Sequence, residues 1–159
     1  MPLYVVRHAK AGSRGGTQQS DERRPLTDAG WKQADRIADL LAGARVQRIL
    51  TSRYTRCVET VMPLAERTGV AIELHESLAE EADVELAWKL FEELADGTAV
   101  VCSHGNILTP LLDRVHRRGA EVEAKEWSCH KGSVWRLDAE GDTSLDPHFT
   151  RATQELVQA

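Results

Sequence analysis

The sequence predicts an α/β fold with a mostly parallel central sheet and helices on both faces, organised as one domain over residues 1–159. Three observations lead there. Short apolar runs such as LYVVR (3–7), VQRILT (46–51) and TAVVCS (98–103) lack polar alternation and read as strands buried on both sides. The segments between them repeat apolar residues at helical spacing. Strand and helix then alternate along the chain, the order that parallel strands joined by crossover helices require.

The elements follow in order. Residues 3–7 form a central strand entered from Pro2, and the polar, Gly- and Ser-rich stretch 11–24 reads as a loop able to cover a site. A helix then starts at Thr27 or Asp28, either able to cap it, places Trp31, Ala34, Ile37, Ala38 and Leu41 on one face, and stops at Gly43. After the strand 46–51, the stretch 52–69 is helical with Cys57, Val61, Leu64 and Ala65 inward, and Pro63 must kink or break it. VAIEL (70–74) reads as an edge strand. Residues 82–95 carry Val84, Ala87, Trp88, Phe91 and Leu94 on one stripe. The strand 98–103 leads into a helix that buries Leu108, Leu111, Leu112 and Val115, where Pro110 fits only close to the first turn. SVWRLD (133–138) is the last strand, EGDTSLD turns after it, and the tail 147–159 carries the pattern of a short terminal helix.

Composition narrows the function. A chain of 159 residues that is 42% apolar and 28% charged can bury a real core without disulfides or metals. Its 25 acidic against 20 basic side chains give a net charge of −5, which argues against duplex nucleic acid as a partner. Cys57, Cys102 and Cys129 lack paired spacing, so a reducing, cytoplasmic setting is expected, with neither a disulfide framework nor a zinc motif. No window approaches the roughly 18 apolar residues of a membrane span, and no membrane partner is expected. Oligomeric state leaves no mark in the sequence.

Against this acidic background, cations gather at strand ends. LYVV delivers Arg7 and His8; RILT delivers Ser52, Arg53 and, one helical turn on, Arg56; VVCS delivers His104 and Gly105. In an open parallel sheet these ends lie on one edge, where ligands bind. One such histidine or arginine alone would be an ordinary structural or solvated residue. Together they would repel one another and lose hydration unless an anion sat between them. A tetrahedral dianion such as phosphate meets that need, and guanidinium groups offer it paired donors. Ser52 and Ser103 could donate to it, Asn106 could position substrate or cap the next helix, and Lys10, Arg14, Arg23 and Arg24 could hold a second anionic group or be solvated. His130, just before the last strand, could approach the same place. GSRGG (12–16) lacks the form of a phosphate-binding P-loop.

RHAK (7–10), TSRYTRCVET (51–60), CSHGN (102–106) and RPLTDAGWKQA (24–34) together resemble the histidine phosphatase, or phosphoglycerate mutase-like, superfamily, over about residues 3–138. The similarity is to its small members, including the bacterial phosphohistidine phosphatases and the domain found beside some Nudix hydrolases. The resemblance implies that His8 is the phosphorylated nucleophile, that Arg7 and Arg56 hold the phosphoryl oxygens, and that His104 completes the pocket. It implies a carboxylic acid that protonates the leaving group, for which Glu80 in ESLAEEAD (76–83) is the better match and Glu81 the next, with Glu76 and Asp83 behind them. The family often has proline and leucine where this chain has Arg53 and Tyr54; Arg53 either adds charge at the pocket mouth or is solvated.

Neutral His8 would attack phosphorus, the cations would stabilise the equatorial oxygens, and water would then release phosphate, with no metal or cofactor. The expected activity is hydrolysis of a small phosphomonoester, a nucleotide phosphate or protein phosphohistidine. The alternative is a noncatalytic phosphate- or phosphoprotein-binding module on the same fold.

Overall fold

A computed structural model describes residues 1–124, 128–140 and 149–155. Its elements are β1 (Pro2–Arg7), α1 (Gln18–Glu22), α2 (Asp28–Leu41), β2 (Arg48–Thr51), α3 (Thr55–Thr68), β3 (Ile72–Leu74), a 3-10 turn (Glu76–Leu78), α4 (Val84–Glu93), β4 (Ala99–Ser103), α5 (Gly105–Arg117), β5 (Glu121–Glu123), β6 (Val134–Ala139) and β7 (Phe149–Glu155). The sheet runs β3-β2-β4-β1-β6-β7-β5. Strands β3, β2, β4 and β1 are mutually parallel, β6 is antiparallel to β1, β7 is antiparallel to β6, and β5 is parallel to β7.

Alternation along β1 divides the core in two. Leu3 and Val5 point to the face covered by α4 and α5, where they pack with Phe91, Leu108, Leu111 and Trp135. Tyr4 and Val6 point to the face covered by α2 and α3, with Ile37, Leu41, Val61 and Leu64. Helices therefore lie on both sheet faces, as the strand and helix order requires. Among the described residues, no helix is long and apolar enough to cross a membrane.

Register places the strand tips. Arg7 pairs with Ser103 across β1 and β4, and Thr51 pairs with Cys102 across β2 and β4. His8, Ser52 and His104 each stand one residue beyond a paired tip, on the same edge.

Several local expectations are corrected. The stretch 11–24 is not all loop: Thr17 caps α1, its hydroxyl accepting the Ser20 amide. Helix α1 buries none of its side chains, so it has no apolar period to read. The tail forms strand β7 instead of a helix, because β6 offers it an open edge and Phe149 and Ala152 turn inward. β5 went without any signal, being short, acidic and half exposed. Pro63 sits within a continuous α3, and Pro110 lies in the second turn of α5, each forgoing one helical hydrogen bond, to Glu59 and Asn106 respectively. The turn expected in EGDTSLD lies outside the described residues beyond Glu140.

Candidate active site

The end of β1 fixes the first histidine. The His8 amide donates to the Ser103 carbonyl at 3.1 Å, tying the two tips together, and the Ala9 amide donates to Thr60 Oγ1 at 2.9 Å. His8 Nδ1 lies 2.8 Å from its neighbour's carbonyl, Ala9 O. A carbonyl only accepts, so Nδ1 carries the proton and Nε2 keeps its lone pair. Burial pushes the His8 pKa down to about 4, with Arg56, Arg7 and Lys131 acting the same way against the opposing pull of the Ala9 carbonyl.

The tip of β4 supplies the second. The His104 and His8 ring centroids are 5.5 Å apart, edge to face. Ser52 Oγ accepts the Tyr54 amide at 3.3 Å, leaving its own hydrogen to reach His104 Nε2 at 2.9 Å. His104 Nδ1 then points toward Glu80 Oε2 at 3.3 Å, out of hydrogen-bond alignment.

Two arginines complete the set. Arg7 donates through Nη1 to the Cys129 carbonyl at 2.7 Å, which docks the 128–133 turn on β1. A Cβ at Gly105 would stand 2.7 Å from Arg7 Cζ, so glycine at the start of α5 is what lets this guanidinium lie across the helix end. Arg56 is fully buried under the Tyr54 ring, 4.8 Å from its centroid. Its Nη1 donates to Asp21 O at 2.9 Å, and its Nη2 reaches Glu80 Oε2 at 2.5 Å and Asp21 Oδ2 at 3.4 Å. Among the described residues the buried side-chain nitrogens without a partner are Arg7 Nε, Arg56 Nε and His104 Nδ1. All three belong to residues that the sequence assigned to one anion.

A cavity of about 610 Å³ opens here, and Arg7, His8, Glu80, His104, Gly105 and Asn106 line it. Arg14 and Arg24 line it too, Arg56 lies behind Glu80 without reaching the wall, and the other sequence candidates stand elsewhere. Ser52 is behind His104, and Ser103 Oγ donates to the Leu78 carbonyl at 2.6 Å. Lys10 is exposed and outside the cavity wall. Arg53 is also outside it, engaged by Glu22, Glu76 and Glu81. The Glu81 carboxylate accepts from Tyr54 Oη and Arg53, Asp83 caps α4, and His130 meets Ser128 Oγ instead of the cavity. Asn106 donates to the Glu80 carbonyl at 2.8 Å, fixing the backbone that carries the carboxylate.

Sequence reasoning missed two contributors. Asp21 joins Arg56, Arg24 and Arg14, but it lies in a stretch with no helical period. Lys131 lines the cavity beside His130, the neighbour that drew attention; the Lys131–Gly132 step alone, a turn pattern, could have signalled it.

Comparison with known proteins gives a consistent picture. The sequence model of the histidine phosphatase superfamily, branch 1, matches residues 3–85. An 8-oxo-(d)GTP phosphatase of Mycolicibacterium smegmatis (strain ATCC 700084 / mc(2)155) is 32% identical over 140 residues, 85% of this chain and 43% of that protein, so the chain spans less than half its length. The protein histidine phosphatase SixA complexed with tungstate superposes with a TM-score of 0.74 at 19% identity, covering 97% of each chain. A mycobacterial glucosyl-3-phosphoglycerate phosphatase superposes with a TM-score of 0.69 at 16% identity, covering 99% of this chain and 98% of that one. These two likenesses are of fold.

Proposed function

We infer that this chain, which belongs to the histidine phosphatase superfamily, branch 1, is a phosphatase that works through a phosphohistidine at His8 and needs no metal ion. One observation carries the reading: the proton on His8 Nδ1 is committed to Ala9 O, so the ring keeps its Nε2 lone pair for phosphorus.

Arg7 Nε and His104 Nδ1, unpartnered on residues of the cavity wall, supply donors for the oxygens of the phosphoryl group, and Arg56 adds its charge from behind Glu80. As Nε2 bonds to phosphorus, the bond to the substrate's leaving atom breaks in line with it and its electron pair departs with the leaving group; charge builds on the equatorial oxygens, and donors already in place stabilise it without reorganisation. The positive end of α5, with Gly105 and Asn106 at the cavity, adds to the same field. Ser52 acts through His104, holding its ring and tautomer. Water then attacks the phosphohistidine: the P–N bond breaks, its electron pair returns to Nε2, and phosphate leaves. The substrate is a small phosphomonoester, a nucleotide phosphate or protein phosphohistidine, and the 8-oxo-(d)GTP phosphatase relative supports the nucleotide class.

Hydrolysis of p-nitrophenyl phosphate in the presence of a chelator tests the reading. Activity that survives chelation and disappears in His8→Ala is expected. Tight binding of inorganic phosphate without turnover, equal in both proteins, would instead make the chain a binding module.

A further inference from the structure

Lys131 has a fixed place on the cavity wall. The Gly132 amide donates to both Arg7 O at 3.2 Å and His8 O at 3.1 Å, and Gln33 Nε2 donates to Lys131 O at 3.4 Å. Gly132 adopts a φ of +78°, and a Cβ there would meet Gln33 Nε2 at 2.9 Å. The turn is therefore held against the strand tip that carries the proposed nucleophile. Its lysine is exposed, lines the cavity and has no carboxylate partner among the described residues.

The local charges do not balance on a single phosphoryl group. Arg7, Arg14, Arg24, Arg56 and Lys131 face, among the described residues, the carboxylates of Asp21 and Glu80. Arg24 is satisfied by Asp21 and the Gly12 carbonyl, and Arg14 by Glu80. Among the described residues Arg7 and Lys131 remain without counterions, and the total surplus exceeds what one phosphoryl dianion neutralises. Glu80 adds a second constraint. Its Oε1 accepts from Arg14 at 3.0 Å and its Oε2 from Arg56 at 2.5 Å, so both oxygens serve as acceptors. In that arrangement a proton for an alkoxide would have to come from a carboxyl clasped by two guanidinium groups, a demand that a phosphate leaving group does not make.

We propose that Lys131 forms a second anion subsite beside His8, and that the preferred substrate is a phosphoanhydride whose leaving group is itself a phosphate. The proposal rests on the phosphatase reading above. His8 Nε2 forms a bond to the terminal phosphorus, the P–O bond to the bridging oxygen breaks, and the electron pair leaves on that oxygen. A departing phosphate is stable as an oxyanion, so the step needs no proton from Glu80. Lys131 neutralises the charge that accumulates there.

The test compares binding of methylenediphosphonate and inorganic phosphate by calorimetry in wild type, Lys131→Gln and Lys131→Arg, beside kcat/KM for ADP and p-nitrophenyl phosphate. Expected are tighter binding of the diphosphonate by wild type, loss of about tenfold of that advantage in Lys131→Gln, the size of one charge-assisted contact, and its retention in Lys131→Arg. The ADP to p-nitrophenyl phosphate ratio should fall in parallel. Equal affinity for the two anions, an advantage untouched in Lys131→Gln, or a preference for 2-phosphoglycolate or a phosphohistidine peptide over ADP would overturn the subsite. Failure of His8-dependent turnover would instead remove the catalytic reading, while the calorimetry would still decide the subsite.

Discussion

His8 Nδ1 and the carbonyl oxygen of Ala9 stand 2.8 Å apart, a bond made within one dipeptide at the end of β1. It fixes which ring nitrogen is free. Burial adds the second condition, lowering the His8 pKa to about 4, so that the ring stays neutral throughout the physiological range.

The acid limb of activity should follow from this. With the ionisation of the substrate's own phosphoryl group allowed for, kcat/KM should decline only near pH 4, where His8 takes up its second proton. A limb centred near 6.5, the ordinary imidazole value, would contradict the buried environment.

Stability should carry the same signature. The folded pKa lies below the unfolded value of 6.5, so between about pH 6.5 and 4 the unfolded chain binds the extra proton. His8 therefore contributes no penalty above 6.5, and the fold loses up to about 3 kcal/mol as pH falls toward 4. Urea unfolding across that window should show a shallower pH slope in His8→Asn than in wild type. Parallel slopes would place the titration elsewhere.

Gly105 and Arg7 offer a steric test. A methyl group at position 105 would lie 2.7 Å from Arg7 Cζ, and the flexible end of that arginine can swing away. Gly105→Ala should then fold with near wild-type stability yet lose about a hundredfold in kcat, the scale of a displaced oxyanion donor. Thermal melting and steady-state kinetics on the same sample would check both halves.

Arg53 and Arg56, three residues apart, should behave in opposite ways. Arg53 is tied to three carboxylates outside the cavity, so Arg53→Gln should cost about 1 kcal/mol of stability and leave KM as it was. Arg56→Gln strands Asp21 and Glu80 around a buried site and should cost about 3 kcal/mol, along with nearly all turnover. Equal kinetic losses in the two variants would mean that Arg53 also reaches the substrate.

The elements that place the site were legible because periodicity encodes burial. LYVVR, RILT and VVCS, short and β-branched, read as strands of a covered sheet, and their ends carried Arg7, His8, Ser52 and His104 to one edge, with Arg56 one turn into the following helix. Side-chain direction was less legible. Arg53 and Arg56 look alike in a sequence, and only the carboxylates of α1 and of the 76–81 stretch decide which one turns inward. Glu80 was singled out ahead of Glu81 only through the family resemblance, and its engagement by Arg14 and Arg56 depends on a loop with no repeating pattern. Strands β5 and β7 depend on partners distant in sequence, for which local residues supply no signal.

The central claim is that His8 Nε2 accepts the phosphoryl group, and rapid-quench labelling with a ³²P-phosphorylated substrate tests it most directly. A base-stable, acid-labile label on the peptide containing His8, present in wild type and absent in His8→Ala, is the predicted result. Turnover with label on a different residue, or with none trapped at any time point, would contradict it.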